Sequence, residues 1–265
     1  MPLLLRLPPT ISFLLVSVVT TALAVAGLRL VRRKYSAEVL KENHEVASII
    51  FNAFGLLYGV VVAFVVFVTW SGYDDAAKNL QMEASDTLDI FHSAKAFPDS
   101  VRKIVQQGLM DYVDLVYRDE VNRMSTEEIS IYSANPLRKL LDIFNQMDAQ
   151  SVPNRELYSE SLKRINSLAE HRRLRIFAGN NTVPPTVWLV LLVGGVITVA
   201  YTYLFGTKNI RAQYLMITAL TVTISWILLL IYILDHPFTG ASKVSAKPLS
   251  EAMEVMRNQS AAMQR

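Results

Sequence analysis

The sequence predicts an all-α membrane protein: four transmembrane helices, with a soluble helical bundle inserted between the second and third. Three observations predict it. Only 18% of the 265 residues are charged while 52% are hydrophobic, against about 25% charged in an ordinary soluble domain. The deficit is concentrated, because Leu7–Leu28, Val46–Tyr73, Ile176–Thr207 and Ala212–Leu234 carry no charge at all. About 20 apolar residues cross a bilayer as a helix, and each stretch is long enough. Between the second and third lies a segment, residues 71–183, with 14 Lys/Arg against 17 Asp/Glu and apolar residues at helical spacing. The predicted division is 1–70 for the first two spans, 71–183 for the bundle, 184–235 for the last two spans and 236–265 for a C-terminal tail.

The first stretch, Thr10 to Leu30, has two readings. One arginine, an apolar run and then Ala22-Leu23-Ala24-Val25-Ala26 resemble a signal peptide with a small-residue cleavage site. A retained helix is favoured, since the run is long for a signal peptide and Arg29, Arg32, Arg33 and Lys34 follow it at once.

In the second stretch, Ala47 to Trp70, Gly55, Gly59 and Ala63 recur every four residues and line one helix face with small side chains. Helices in lipid associate by close packing, which such a face permits. Trp70 and Tyr73 suit the interface. Asn52, an amide well inside the second span, fits an interhelical hydrogen bond better than an ion contact.

Asp74 to Phe97 has neither proline nor glycine and extends the second helix by about 36 Å at 1.5 Å per residue, until Pro98 stops it. The next helix carries Val101, Val105, Leu109, Tyr112, Val113, Val116 and Val121 as one apolar stripe. Ser125 to Ser133 reads as a loop. Asn135-Pro136 opens a helix with Leu137, Leu140, Leu141, Phe144 and Met147 on its buried face. Asn154 caps a last one, with Leu157, Leu162, Ile165, Leu168 and Ala169 inward and an end near Gly179.

Pro184-Pro185 opens the third span, with Trp188 near its start and Gly194-Gly195 at its middle. The fourth, Gln213 to Leu234, places Thr218, Thr221 and Ser225 on one face, either as structural hydroxyls or as a polar path, the structural role being favoured. Asp235 to Gly240 breaks the helix. The tail from Pro248 holds a weak amphipathic turn (Leu249, Met253, Met256) and is expected to be partly disordered. Basic residues near the membrane divide almost evenly between the two sides, so the positive-inside rule does not orient the chain.

Without cysteine, thiol catalysis, disulfides and cysteine zinc sites are excluded. His44, His92, His171 and His236 have no metal-pair spacing, and there is no phosphate loop, dinucleotide turn or nucleophile elbow. No catalytic residue, metal or cofactor is assigned, and the chain is not read as an enzyme. Nucleic acid is excluded as a partner for want of a clustered basic face. Glu83, Asp86 and Asp89 align on one helix face, expected to be solvated. Arg172, Arg173 and Arg175 are candidates to attract anions in an oligomer, or to contact lipid headgroups or the end of a helix.

Asn43-His44-Glu45-Val46-Ala47, Phe54-Gly55-Leu56-Leu57-Tyr58-Gly59, Ala63-Phe64-Val65-Val66 and Trp70-Ser71-Gly72-Tyr73 resemble the second span of the bacterial bestrophin-like membrane proteins. Glu83-Ala84, Arg172-Arg173-Leu174, Pro184-Pro185, Trp188, Asp235, Pro237-Phe238 and Gly240 extend the likeness over roughly residues 43–255. The resemblance implies a multi-pass protein of the bacterial inner membrane that partners itself as a homo-oligomer, a pentamer by analogy with true bestrophins. It implies a channel for inorganic ions, anions foremost, with the second span lining the pore and Asn52, Phe64, Phe67 and Trp70 as pore-lining candidates. It also implies a cytosolic bundle, whereas the charges after the first span, taken alone, would put the bundle outside. The alternative is a non-conducting scaffold or sensor whose helical domain binds a partner.

Overall fold

The computed structural model describes residues 4–5, 7–36, 44–124, 137–146, 155–205, 207 and 209–262. Arg6, Lys41, Asn43, the loop Ser125 to Ser133, the Asn135-Pro136 cap, Met147 and the Asn154 cap lie outside them. Among the described residues the regular structure is helical, without strands. Four helices are long and apolar enough to cross a membrane, and the chain divides into two compact units.

One unit comprises Met1–Ser71, Thr182–Asp235 and Gly240–Ser242. It contains α1 (Pro9–Lys34), the first half of α2 (His44–Ser93), α6 (Pro185–Tyr201) and α7 (Ile210–Leu234). Proline opens α1 and α6 at a position whose N–H has no intrahelical partner. Arg32, Arg33 and Lys34 occupy the last turn of α1, where cations oppose the negative end of the helix dipole. Asn209 caps α7 by accepting from the Arg211 and Ala212 amides.

Within this unit α1 and α7 are tied at several depths. Arg32 donates to the Thr207 carbonyl at 2.8 Å and, through Nε, to Gln213 at 3.1 Å. Ala24, Leu28 and Ile217 are buried together. Trp226 donates to the Ser17 hydroxyl at 2.7 Å and meets Phe13 edge to face. Asp235, just past α7, accepts from the Val183 amide at 2.7 Å ahead of α6. Gly240 has a φ of 84°, and a Cβ there would run into the Leu5 carbonyl, which accepts from the Ala241 amide. Leu14, Leu23, Leu56, Leu57, Phe64, Leu189 and Leu215 are exposed. So much apolar surface is a liability in water and ordinary in hydrocarbon.

The other unit comprises Gly72–Asn181, His236–Thr239 and Lys243–Arg265. It holds the second half of α2, then α3 (Asp99–Leu115), α4 (Arg138–Gln146), α5 (Arg155–Asn180) and α8 (Lys247–Ala262). α2 stops at Ser93, a little before the expected Phe97. A single tight turn, Ala94–Ala96, follows, and Phe97 is extended (ψ 158°), as a residue before proline must be. α3 passes into a π turn, Val116–Glu120, and a last turn, Val121–Arg123. The Val121 amide bonds the Val116 carbonyl five residues back, and this wider turn brings Glu120 and Val121 onto the buried face.

The core of this unit includes Leu80, Phe91, Leu109, Val113, Leu140, Phe144, Ile165 and Leu168, matching the stripes expected of α3, α4 and α5. The C-terminal segment differs from expectation. It is a 16-residue helix, not a partly disordered tail, because Leu249, Ala252, Met253 and Met256 form a face buried in the same core.

Candidate functional site

The membrane half of α2 has two unlike faces. Tyr58, Val62, Val65 and Thr69 recur at three and four residues and turn inward, with Val62 and Val65 against Leu191 and Ile231. The Tyr58 ring fills the notch left by the paired glycines of α6: a Cβ on Gly194 would come within 2.5 Å of it. Its hydroxyl donates to the Leu191 carbonyl at 2.8 Å. The diglycine of the third span is therefore a socket for a side chain of α2.

The other face carries Asn52, Gly59, Ala63, Phe67 and Trp70, all exposed, flanked by half-exposed Gly55 and exposed Phe64. Phe67 and Trp70 are 68% and 59% exposed, large values for aromatics in a packed helix. A Cβ added at Gly55 or Gly59 would meet nothing within 4 Å. The close approach that small residues permit is used by nothing among the described residues of this chain. Asn52 does not act here as glue between helices of one protomer, since its side chain faces outward.

The arginine candidates are placed differently. Arg172 and Arg175 are buried, and Arg173 is exposed. Arg175 donates through Nε to Glu83 Oε2 at 2.6 Å and through Nη2 to Glu83 Oε1 at 3.2 Å, and it also pairs with Glu120. Arg172 holds the other Glu120 oxygen at 2.7 Å. The Tyr112 hydroxyl donates to Glu83 Oε1 at 2.5 Å. Two carboxylates and two guanidiniums thus form a charge-balanced cluster, the arrangement a buried ion pair requires. Their spacing predicts a solvated face for Glu83 and Asp86. Both are buried, Glu83 in this cluster and Asp86 against His171 Nδ1 at 2.7 Å. Asp89 remains at the rim, 3.2 Å from Arg164.

Electrostatics follow from this geometry. Burial would raise the Glu120 carboxyl, but Arg175 and Arg172 outweigh it and hold it below its ordinary value. Burial would lower the Arg175 guanidinium, and the two carboxylates reverse that and raise it. Burial, reinforced by the Glu83 charge, pushes the Tyr112 phenol well up, so it stays a neutral donor.

Spacing could have revealed the cluster. Arg172 and Arg175 continue the Ile165, Leu168 stripe of α5 at intervals of four and three, and Glu83 continues Ala76 and Leu80 of α2. A charge on an apolar stripe signals a buried partner, and Glu120 reaches the same place only because of the π turn.

A family model described as the bestrophin-like domain matches residues 14–249 of the chain. Comparison with curated proteins returns no match. Among solved structures, the chain is similar to a single-substitution variant of a bacterial bestrophin homolog from Klebsiella pneumoniae. The TM-score is 0.70 at 13% identity, covering 92% of this chain and 98% of that one. A second variant of the homolog gives 0.70 at 11% identity over 94% and 98%. A structure described simply as a membrane protein gives 0.64 at 12% identity over 93% and 97%.

Proposed function

The chain belongs to the bestrophin-like family, and from that premise we propose that it is a multi-pass protein of the bacterial inner membrane that assembles with copies of itself into an ion channel. Residues 71–183 form its soluble helical bundle, and the oligomer is a pentamer on the analogy of true bestrophins. The observation that supports this reading is the two-faced α2. One face is fastened to its own protomer through Tyr58, Val62 and Val65, while the opposite face presents Gly59 and Ala63 for close approach and Asn52, Phe64, Phe67 and Trp70 for a lumen. A constriction of exposed aromatics needs no lining of charges, since an apolar neck gates by wetting. Anions are the proposed cargo, with exposed Arg173 as the attracting cation. Arg172 and Arg175 serve the bundle's own carboxylates.

The test is flux from liposomes carrying the full-length protein, with chloride and potassium gradients imposed separately and Phe67→Ala alongside. Chloride flux raised by Phe67→Ala is expected. Flux unaltered in the folded variant removes Phe67 from the pore. A folded, stable oligomer passing neither ion refutes the channel and favours a scaffold or sensor. Assembly is checked separately: Gly59→Leu should dissociate the oligomer in mild detergent, and an unchanged oligomer would remove this face from the interface.

A further inference from the structure

We propose that the cavity between the π turn and the segment entering α8 binds a small anion carrying more than one negative charge on phosphate, with Lys243 as its principal cation. The cavity has a volume of 580 Å³, and both of its walls belong to the same compact unit. That volume is in the range of small-molecule sites. On one wall, Tyr117 and Arg118 face outward where Glu120 and Val121 of the wider turn face inward. On the other, exposed Lys243 and Ser245 flank Val244, which is buried in the core and whose amide bonds the Pro237 carbonyl at 2.7 Å. The Ser245 hydroxyl accepts from the Lys247 amide at 3.3 Å, which leaves its own proton for a ligand oxygen. The backbone amides that open α8 are already committed. Pro248 has none, and those of Leu249 and Ser250 bond the Ala246 carbonyl at 3.1 and 3.3 Å. Side chains must therefore meet any charge in the cavity.

Those side chains are cationic. Arg118, Lys243 and Lys247 line the cavity together with the hydroxyls of Tyr117, Ser245 and Ser250, and no described carboxylate does. Arg118 Nε lies 2.8 Å from an Asp114 oxygen, and Arg257 Nη2 lies 3.7 Å from the same oxygen. Lys247 is 3.2 Å from Glu251. Asp119, next to Arg118, is taken up by Arg123 at 3.6 Å. Lys243 has no ion-pair partner among the described residues. Arg118, Arg257, Lys243 and Lys247 are thus set against Asp114 and Glu251, an excess of two positive charges around one concavity. Exposed ion pairs of this kind are weak and exchange readily, so Arg118 and Lys247 turn to a ligand at little cost. Chloride would neutralise half the excess and fill little of the volume. A phosphate with two or more charges answers both, since its several oxygens accept from a guanidinium fork, from ammonium groups and from hydroxyls at once. A soluble phosphate and a phospholipid headgroup both supply this chemistry. The inference does not rest on conduction.

The experiment is isothermal titration calorimetry with pyrophosphate in magnesium-free buffer, on full-length protein in phosphatidylcholine nanodiscs. Pyrophosphate should bind, and added salt should weaken it. Lys243→Gln should weaken binding about five- to tenfold, between the strength of an exposed ion pair and that of a charge-assisted hydrogen bond, with helical circular dichroism unchanged. Lys243→Arg should keep most of the affinity. Lys163→Gln, on the exposed face of α5 and outside the cavity, should change nothing. The same titration in phosphatidylglycerol nanodiscs identifies the source: Lys243-dependent binding that persists marks a soluble phosphate, and binding that is lost marks the lipid headgroup as the occupant. No binding of pyrophosphate in the phosphatidylcholine nanodiscs, equal affinity of wild type and Lys243→Gln, or an equal loss in Lys163→Gln would overturn the proposal.

Discussion

Arg175→Met isolates the balance of the buried cluster. The guanidinium has no solvent exposure and holds both Glu83 oxygens and one of Glu120. Its removal leaves Glu120 with Arg172, but Glu83, equally inaccessible, keeps only the Tyr112 hydroxyl within this cluster. The cluster passes from neutral to one net negative charge, located on the carboxylate least able to reach water. Removing one partner of a buried pair costs about 3–5 kcal/mol. At roughly 2–4 °C per kcal/mol, that lowers the midpoint of unfolding by about 6–20 °C. Glu83→Leu combined with Arg175→Met removes both charges and leaves Glu120 and Arg172 balanced, so the double variant should recover most of the loss. The assay is thermal unfolding of the detergent-solubilised chain, followed by helical circular dichroism and by proteolytic clipping within residues 72–181. A single variant within about 1 kcal/mol of wild type, or a double variant as unstable as the single, would refute the charge-balance argument.

Three further outcomes follow from the same structure. Tyr58→Phe should lose about 0.6–1.7 kcal/mol with its bond to the Leu191 carbonyl, and Gly194→Ala about 1–3 kcal/mol because its methyl displaces the ring; both are read as thermal stability, and two neutral variants would remove the socket. Leu249→Ala should destabilise by about 2–5 kcal/mol if α8 is core, whereas a loosely attached tail would show no change in a denaturant titration. Glu120, held below its ordinary value, stabilises the fold above about pH 4.3, and this contribution disappears as pH falls through the folded-state value. Tyr112, raised above its ordinary value, stabilises below about pH 10 and ceases to as pH climbs past that. Glu120→Gln should flatten the acid limb of a stability–pH curve and Tyr112→Phe the alkaline limb. Limbs unchanged in shape would place the titration elsewhere.

The helical class, the four long apolar helices and the faces of most of the others are legible in the chain of residues alone. Those properties are local: charge-free length, proline punctuation and three-to-four spacing act within a few residues of chain. Ile165 and Leu168 are buried where their period puts them, and Phe97 is extended because Pro98 follows it. The tertiary structure decided what depends on pairing across distance. Whether Glu83 meets water or Arg175 turns on a residue ninety-two positions away, and Glu120 completes the cluster only because a π turn re-aims it. The tail became a helix because a core was there to receive Leu249 and Met256. Gly194-Gly195 gains its meaning from Tyr58. A side chain's periodicity can be read from its neighbours in sequence, but its hydrogen-bond partner is chosen by whichever group the fold brings within 3 Å or so.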